Sequence, residues 1–226
     1  MSDLVVAFAP ETLVRLEVER AIVLEQLEAH GLERARALVA GWPCRAGRLV
    51  PEFVDGVLLR SHLEMQRLSE EFQQGARMHR LLAPLVQPTA RQLGRRPRVV
   101  DVGCGLGYVT RWLASAGELP VELVGCDYNR PLLEYAATLA CQEALPCSFL
   151  VANAFTLDSP ADIFTSTGVI HHFRGKGLAR FFEGQAAASP AGFVHCDIKP
   201  SYLAPLGSWI FHRARTPSRR LSRCSR

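Results

Sequence analysis

The residues best suited to chemistry lie in a short glycine-rich segment, Asp101-Val-Gly-Cys-Gly-Leu-Gly107. It follows an apolar run that predicts a strand and precedes a run that predicts a helix starting at Tyr108. Glycine permits a tight turn and a close approach of the backbone to a ligand, and a helix start offers unpaired N–H groups. The segment therefore predicts a loop that binds a nucleotide-like ligand, although a simple strand–helix turn could also require glycines.

The spacing of the glycines narrows the class of ligand. They occupy positions 103, 105 and 107, whereas the dinucleotide fingerprint is G-x-G-x-x-G. Tyr108 stands where that fingerprint has its third glycine, and its bulk would hinder close helix–strand packing. The spacing argues against a nicotinamide-dependent reductase, which is the main alternative among enzymes.

Polar residues follow the next predicted strands as well. Asp127 ends the second strand, where a carboxylate can accept hydrogen bonds from ribose hydroxyls. Asn153 ends the third strand, and its side-chain oxygen can accept a hydrogen bond from an amino group. His171 and His172 follow the fourth strand and titrate near neutral pH, so either could accept a proton from a substrate.

These residues need a sheet to hold them at one edge. Short apolar runs alternate with helical segments from residue 98 onward, which predicts an α/β fold with a doubly wound, mostly parallel, Rossmann-like sheet of about five strands. The predicted strands are Val99–Val102, Val121–Cys126, Ser148–Ala152, Ile163–Thr167 and Phe193–Cys196. The predicted helices are Tyr108–Ala116, Pro131–Glu143 and Leu178–Ala188.

The first part of the chain reads as an N-terminal helical cap. Helices are predicted over residues 10–31, 32–40 and 53–86, with a loop over 44–51 and a kink or end at Pro84. This gives a cap or substrate region over residues 1–96, a binding core over 97–211, and a basic tail over 212–226 that is predicted to be disordered.

The motifs together resemble the class I S-adenosylmethionine-dependent methyltransferases, whose first motif is D/E-x-G-x-G-x-G. The resemblance covers about residues 97–200 and includes Asp162-Ile-Phe-Thr-Ser-Thr-Gly-Val-Ile-His-His-Phe173, which is similar to the family's fourth motif in small-molecule members. Asn153 departs from the family, which has an acid there. The resemblance implies S-adenosylmethionine as cofactor and methyl transfer as the activity.

The resemblance also implies a role for each motif residue. Residues of the glycine loop would hold the methionine part of the cofactor, and Asp127 would hold its ribose. Residues that follow the second and third strands would frame the adenine. Two residues at the end of the fourth strand would lie below the sulfonium. The predicted cofactor site consists of Asp101, Gly103, Gly105, Gly107, Tyr108, Asp127, Tyr128, Asn153, Ala154, Phe155, Thr167 and Gly168.

Catalytic candidates are few. His171 and His172 are the candidate bases, with loop positioning or packing as the alternative. His62, His79 and Glu64 on the long predicted helix could face a substrate, but a helix-packing or solvated role is favoured. Cys104 is interpreted as a small loop residue, not as a nucleophile.

Composition limits the partners. The net charge is +4, but residues 213–226 carry six arginines and no acid, which leaves −2 for residues 1–212. The sequence thus predicts a small-molecule acceptor, with nucleic acid disfavoured as a partner and the oligomeric state undetermined. An inactive or truncated cofactor-binding module and an RNA methyltransferase that uses the basic tail remain alternatives.

The end of the chain does not fit the family pattern. The family's sheet has seven strands and only five are predicted, which would leave the fifth as an open edge. An apolar segment, 202–211, predicts a helix before the Arg/Ser-rich tail. A shifted or truncated reading frame is favoured over a genuine basic arm as the source of the tail.

The remaining features are consistent with a cytoplasmic protein. No apolar run reaches the ~18 residues that a membrane helix needs. The seven cysteines have no C-x-x-C pair, so no metal site is predicted, and free cysteines fit a reducing compartment.

Overall fold

The protein's structure is a computed structural model that describes residues 2–157 and 160–197. The first half contains short strands and helices: α1 Ser2–Val5, β1 Ala7–Phe8, β2 Arg15–Leu16, α2 Arg20–Ala29, α3 Glu33–Ala40, β3 Cys44–Arg45, β4 Arg48–Leu49, α4 Pro51–Glu71 and α5 Gln74–Leu93. The second half alternates strands and helices: β5 Arg98–Val102, α6 Tyr108–Ala116, β6 Glu122–Asp127, α7 Arg130–Gln142, β7 Cys147–Val151, β8 Ile163–Thr167, a 3₁₀ turn Ile170–His172, α8 Lys176–Ala187 and β9 Gly192–Cys196.

The second half forms a five-stranded sheet with the order β7-β6-β5-β8-β9, and all its strand pairs are parallel. This confirms the predicted fold class. The apolar runs become strands because both faces of the sheet are covered: Val99, Val100, Ile163 and Phe164 are all buried. The strands were therefore predictable to within about one residue at each end.

The sheet order places the glycine-rich segment at a point where the chain changes direction. β6 lies on one side of β5, and β8 lies on the other. Their crossovers therefore leave in opposite directions, and a crevice opens at the carboxyl ends of β5 and β8. Ligands of open α/β sheets bind in such a crevice, so the fold positions the predicted loop where a ligand can reach it.

Two apolar clusters cover the faces of the sheet. One contains Met78, Leu82 and Val86 of α5 together with Val109 and Leu113 of α6. The other packs around Phe164 and Phe181 against α8. The helix α5, which precedes the sheet in sequence, thus belongs to the cover of the sheet.

The predicted helix over residues 10–31 is wrong in its first half. Residues 7–16 form a hairpin in which Ala7 pairs with Leu16, and only Arg20–Ala29 is helical. Pro10 lies in the turn of this hairpin, where the Ala9 N–H donates to the Val14 carbonyl at 2.9 Å. Proline suits a turn as well as the first turn of a helix, so its position did not distinguish the two structures.

The long helix predicted over residues 53–86 is also corrected. It divides into α4 and α5 at Gln73, which has a left-handed φ of 51°. The helix α5 then continues through Pro84 and Pro88 without ending. Both prolines are exposed, so water can satisfy the backbone carbonyls that lose a helical partner.

Several predictions fall outside the described residues. These are the helix over residues 202–211, the disorder of residues 212–226 and the fate of the sheet beyond β9. Within residues 2–157 and 160–197, no helix is long and apolar enough to cross a membrane. In the same residues, no group of three or more His, Cys, Asp or Glu side chains could hold a metal ion.

Candidate active site

The glycine loop is anchored to the end of the neighbouring strand. The N–H groups of Gly103 and Cys104 donate to the Cys126 carbonyl at 2.7 and 3.0 Å. Gly103, Gly105 and Gly107 have φ values of 69°, 53° and 66°, the left-handed region that glycine adopts without strain. The backbone path therefore requires glycine at the three positions that the sequence singled out.

Close neighbours also exclude side chains from the loop. A Cβ at Gly103 would lie 2.6 Å from a methyl group of Val169, and one at Gly107 would lie 2.3 Å from the ring of Phe149. A Cβ at Gly105 would lie 3.1 Å from the ring of His62. The loop is thus a narrow cradle, in which Val169, His62 and Phe149 fill the places that side chains at the three glycines would occupy.

Asp127 joins the end of β6 to this cradle. Its Oδ2 accepts from the Gly105 N–H at 3.0 Å, and its Oδ1 accepts from the Asn129 N–H at 2.9 Å. Burial raises the pKa of this carboxyl group, while the two backbone N–H groups and nearby His62 oppose the rise. A buried acid beside a glycine loop is the arrangement that ribose hydroxyls recognise in nucleotide folds.

Asp101 lies beneath the loop. Its carboxylate oxygens accept from the Thr110 hydroxyl at 2.9 Å and from the Thr165 hydroxyl at 3.3 Å. Burial raises its pKa to about 6, and the two threonine hydroxyls oppose that rise. These contacts tie β5 to α6 and β8, so the geometry gives Asp101 a supporting role; its predicted contact with a cofactor stays a prediction.

The predicted adenine end of the site is covered by the N-terminal hairpin. Tyr128 packs edge-on against Phe8, with ring centroids 5.2 Å apart. The Asn153 side chain donates from Nδ2 to the Pro10 carbonyl at 3.0 Å, while its Oδ1 accepts from the Phe155 N–H at 2.9 Å. Sequence reasoning missed Phe8 and Pro10, because a helix was predicted from residue 10 and strands of two residues leave no periodicity in the sequence.

Ala154 and Phe155 have different neighbours from Tyr128. Both pack against the apolar cluster around Phe164. The ring of Phe155 lies 5.0 Å from that of Phe173, and the guanidinium of Arg180 lies 5.3 Å from its centroid. The predicted contact of Phe155 with adenine stays a prediction.

The end of β8 forms the opposite wall of the crevice. The Thr167 hydroxyl is buried and has no hydrogen-bond partner among the described residues. The Gly168 N–H donates to the Cys196 carbonyl at 2.8 Å, which fixes the chain just before Val169 reaches Gly103. A buried hydroxyl without a partner is costly, so this atom is available for a ligand.

His171 and His172 lie at the rim, in the 3₁₀ turn that follows β8. Both side chains are exposed, and their ring centroids are 4.2 Å apart. The structure therefore brings the two candidate bases together, close in sequence to the wall that faces the loop. Their catalytic role stays a prediction.

Cys104 and Tyr108 complete the loop. Burial raises the pKa of the Cys104 thiol, which disfavours the nucleophilic thiolate. The sulfur faces Gly125 on β6, where an added Cβ would lie 2.8 Å from it. Tyr108 is the first residue of α6, and it packs against the cluster that contains Met78.

His62 is the residue whose position differs most from its sequence interpretation. Its Nδ1 lies 2.9 Å from the Leu58 carbonyl, and its ring covers Gly105 and lies near Asp127. The signal was present in the sequence: Val54 and Leu58 are buried on α4, and His62 continues their spacing of four residues. His79 and Glu64 instead pair with Glu118 and Arg67.

A buried arginine holds α4 over the loop. Arg111 of α6 donates to both oxygens of Glu143, the residue after α7, at 2.5 and 2.7 Å, and to Gln66 of α4 at 3.0 Å. Gln66 lies one turn after His62. The position of His62 therefore depends on a contact between α4 and the sheet domain.

Comparison with known proteins shows what the second half of the chain resembles. Residues 99–192 match the model of a family described as a methyltransferase domain. The glycine loop, Asp127 and the end of β8 all lie inside this segment. The matched segment is therefore similar to a methyltransferase domain, and its Rossmann-like sheet and glycine loop support S-adenosylmethionine as the cofactor.

Two curated relatives and one solved structure illustrate the likeness. The human protein named probable tRNA methyltransferase 9B is 33% identical over 120 residues, covering 51% of this chain and 25% of that protein. The mouse protein of the same name is 40% identical over 78 residues, 34% of this chain and 16% of that protein. The crystal structure of PH0226 protein from Pyrococcus horikoshii OT3 is 22% identical, covers 52% of this chain and 57% of that one, and has a TM-score of 0.40.

These names contradict one prediction. The sequence predicted a small-molecule acceptor and disfavoured nucleic acid as a partner, and this is wrong because the curated relatives are named for tRNA. The prediction rested on a net charge of −2 taken over residues 1–212 as a whole. The matched stretch nevertheless spans only about a quarter of the human relative.

The residues present fit S-adenosylmethionine. Gly103, Gly105 and Gly107 give the loop a left-handed backbone path, which turns it tightly at the carboxyl end of β5. Asp127 is a buried acceptor at the end of β6, and the Thr167 hydroxyl is buried without a protein partner in the described part of the chain. The site thus offers oxygen atoms that can accept hydrogen bonds from the hydroxyl and amino groups of a nucleoside.

Proposed function

We propose that this chain transfers a methyl group from S-adenosylmethionine to RNA, with tRNA as the substrate. The likeness to proteins named tRNA methyltransferases carries the proposal, since the human one is 33% identical over 120 residues. The alternative that the sequence left open, an RNA methyltransferase, thus replaces the small-molecule reading. The proposal does not depend on which basic residues would contact the RNA.

The shape of the site supports a large acceptor. His171 and His172 are exposed at the rim, beyond the buried cradle that would hold the cofactor. An RNA nucleotide could approach such a rim without the chain having to enclose the whole acceptor. A small metabolite would instead require an enclosed pocket to exclude water.

S-adenosylmethionine supplies a methyl group that its sulfonium makes electrophilic. The tasks of the chain are to bind the cofactor, to align the acceptor atom and to exclude water. The glycine loop and Asp127 would bind the cofactor, while His62 of α4 would cover the loop and the Phe8 hairpin would cover the end of the site at Tyr128. His171 or His172, as a neutral imidazole, would accept the proton of the acceptor N–H or O–H.

The test is methyl transfer from labelled S-adenosylmethionine to bulk tRNA by the full chain. The proposal predicts label in tRNA that ribonuclease releases, and loss of this label with Asp127→Ala. Label in small metabolites but not in tRNA would contradict it. Binding of S-adenosylhomocysteine without any transfer to tRNA would also contradict it, and would indicate an inactive binding module.

A further inference from the structure

One segment of the chain is strongly basic, although residues 1–212 as a whole are not. Residues 74–98 contain six arginines and no Asp or Glu. Two of the six are paired: Arg95 with Asp162 and Arg98 with Glu122. The remaining arginines are Arg77, Arg80, Arg91 and Arg96, which are exposed and have no carboxylate partner among the described residues.

Three of these arginines form a stripe along α5. At 100° per residue, Arg77, Arg80 and Arg91 fall within a sector of roughly 60° of the helix surface. Arg77 and Arg91 are about 21 Å apart along the axis, at 1.5 Å per residue. We call these three residues the arginine stripe.

The opposite face of α5 is fixed in the core. Gly75, Met78, Leu82, Val86 and Thr89 are buried, and they lie on the side of the helix opposite the stripe. Packing against α6 therefore forces the arginines outward. The helix cannot rotate to hide them without exposing its apolar side, so the stripe is a fixed feature of the surface.

We propose that the arginine stripe of α5 binds the phosphate backbone of the RNA substrate, an inference that rests on the proposed function. Arg77 and Arg80 lie one helical turn apart, so their like charges repel each other and a polyanion relieves this repulsion. Arginine is also suited to phosphate because its planar N–H groups match two phosphate oxygens. The length of the stripe allows contact with several consecutive phosphates.

The stripe would position the RNA and not select its sequence. Contacts to phosphate fix the register of a nucleic acid on a protein but carry no direct information about bases. They also release counterions, so the logarithm of the affinity falls with the logarithm of salt by about 0.7 to 0.9 for each phosphate contacted. This salt dependence is the property that separates the stripe from other sources of affinity.

The experiment measures tRNA binding by the full chain, by fluorescence anisotropy over a range of salt concentrations. The stripe variant is Arg80→Gln with Arg91→Gln, and the charge-matched control is Arg34→Gln with Arg45→Gln, both exposed arginines of the N-terminal region. We expect the stripe variant to bind tRNA more weakly and to lower, by about 1.5, the slope of log affinity against log salt concentration. Adding Arg77→Gln should lower this slope by about a further 0.8. The control should keep the wild-type slope, and both variants should keep the wild-type affinity for S-adenosylhomocysteine, which shows that they fold.

The outcomes separate this inference from the proposed function. If the wild-type chain methylates tRNA but the stripe and control variants have equal slopes, the stripe is not the RNA surface. If the wild-type chain neither binds nor methylates tRNA, the proposed function fails and the stripe inference fails with it. If the stripe variant loses affinity only for vesicles of phosphatidylserine and phosphatidylcholine, the surface binds membranes and the inference is overturned.

Discussion

Replacement of Gly107 by alanine tests the packing of the loop directly. Gly107 has a φ of 66°, and a Cβ there would lie 2.3 and 2.6 Å from two ring carbons of Phe149. A left-handed conformation costs alanine about 1 to 2 kcal/mol relative to glycine. The contact with Phe149 adds an overpacking penalty of about 1 to 3 kcal/mol, because the half-buried ring also packs against Gly125 of β6 and has to shift.

Gly94 is the matched control. It has a φ of 67°, and an added Cβ there has nothing within 4 Å. Gly94→Ala should therefore cost only the conformational part, about 1 to 2 kcal/mol, while Gly107→Ala should cost about 2 to 5 kcal/mol. The difference between the two variants isolates the contact with Phe149.

Urea unfolding followed by tryptophan fluorescence measures both free energies. A third variant, Gly107→Ala with Phe149→Leu, should recover part of the loss because the smaller side chain vacates the space. Equal free energies of unfolding for the two alanine variants would refute the packing that the structure gives this loop. A stable Gly107→Ala chain with normal cofactor affinity would refute the need for glycine itself.

Three further predictions concern buried polar groups. Burial raises the folded pKa of Asp101 to about 6, above its ordinary 3.8, so the native state binds this proton more tightly than the unfolded chain does. The wild-type chain should therefore lose about 2 kcal/mol of unfolding free energy relative to Asp101→Asn as pH rises from 4 to 7. His62→Ala should weaken binding of S-adenosylhomocysteine about tenfold in calorimetry by uncovering the loop, whereas His79→Ala should not. Arg111→Met leaves Glu143 and Gln66 without their partner, so it should destabilise the chain by about 2 kcal/mol and speed hydrogen exchange in α4.

Each of these predictions has a contradicting result. A difference between wild type and Asp101→Asn that does not change with pH would show that this carboxyl group titrates normally in the fold. Equal cofactor affinities for His62→Ala and His79→Ala would remove α4 from the site. Unchanged hydrogen exchange in α4 after Arg111→Met would show that other contacts hold that helix.

The sheet and its loop were predictable because their signals are local. Val99 to Val102 is apolar except for Asp101, and Ile163 to Thr167 joins two large apolar residues to three small hydroxyl residues, so both segments suit a buried parallel strand. The glycine positions follow from a backbone path that few other residues can adopt. Fold class and the core of the site could therefore be read without tertiary information.

The N-terminal half could not be predicted in the same way. The hairpin of residues 7–16 has strands of two residues, too short for any periodicity to show. Its contacts with Tyr128 and Asn153 join residues that are far apart in sequence. The sequence shows that His62 continues the four-residue spacing of Val54 and Leu58 on α4. Only the fold shows that the His62 ring lies against Gly105.

The arginine stripe illustrates a different limit. The net charge of residues 1–212 does not show that α5 is basic, because acidic residues elsewhere in the chain cancel the charge of its arginines. Only the burial of Met78 and Leu82 shows that the arginines of α5 share the opposite, exposed face. Charge has to be assigned to surfaces before it can exclude a class of partner.

Calorimetry with S-adenosylhomocysteine tests the central claim, that the glycine loop and Asp127 form the cofactor site. The wild-type chain should bind one equivalent, and Asp127→Ala should abolish binding while leaving the circular dichroism spectrum unchanged. The control, Glu134→Gln on the exposed face of α7, removes one carboxylate and should bind as the wild type does. Equal affinity of the Asp127→Ala and wild-type chains would contradict the assignment of the site.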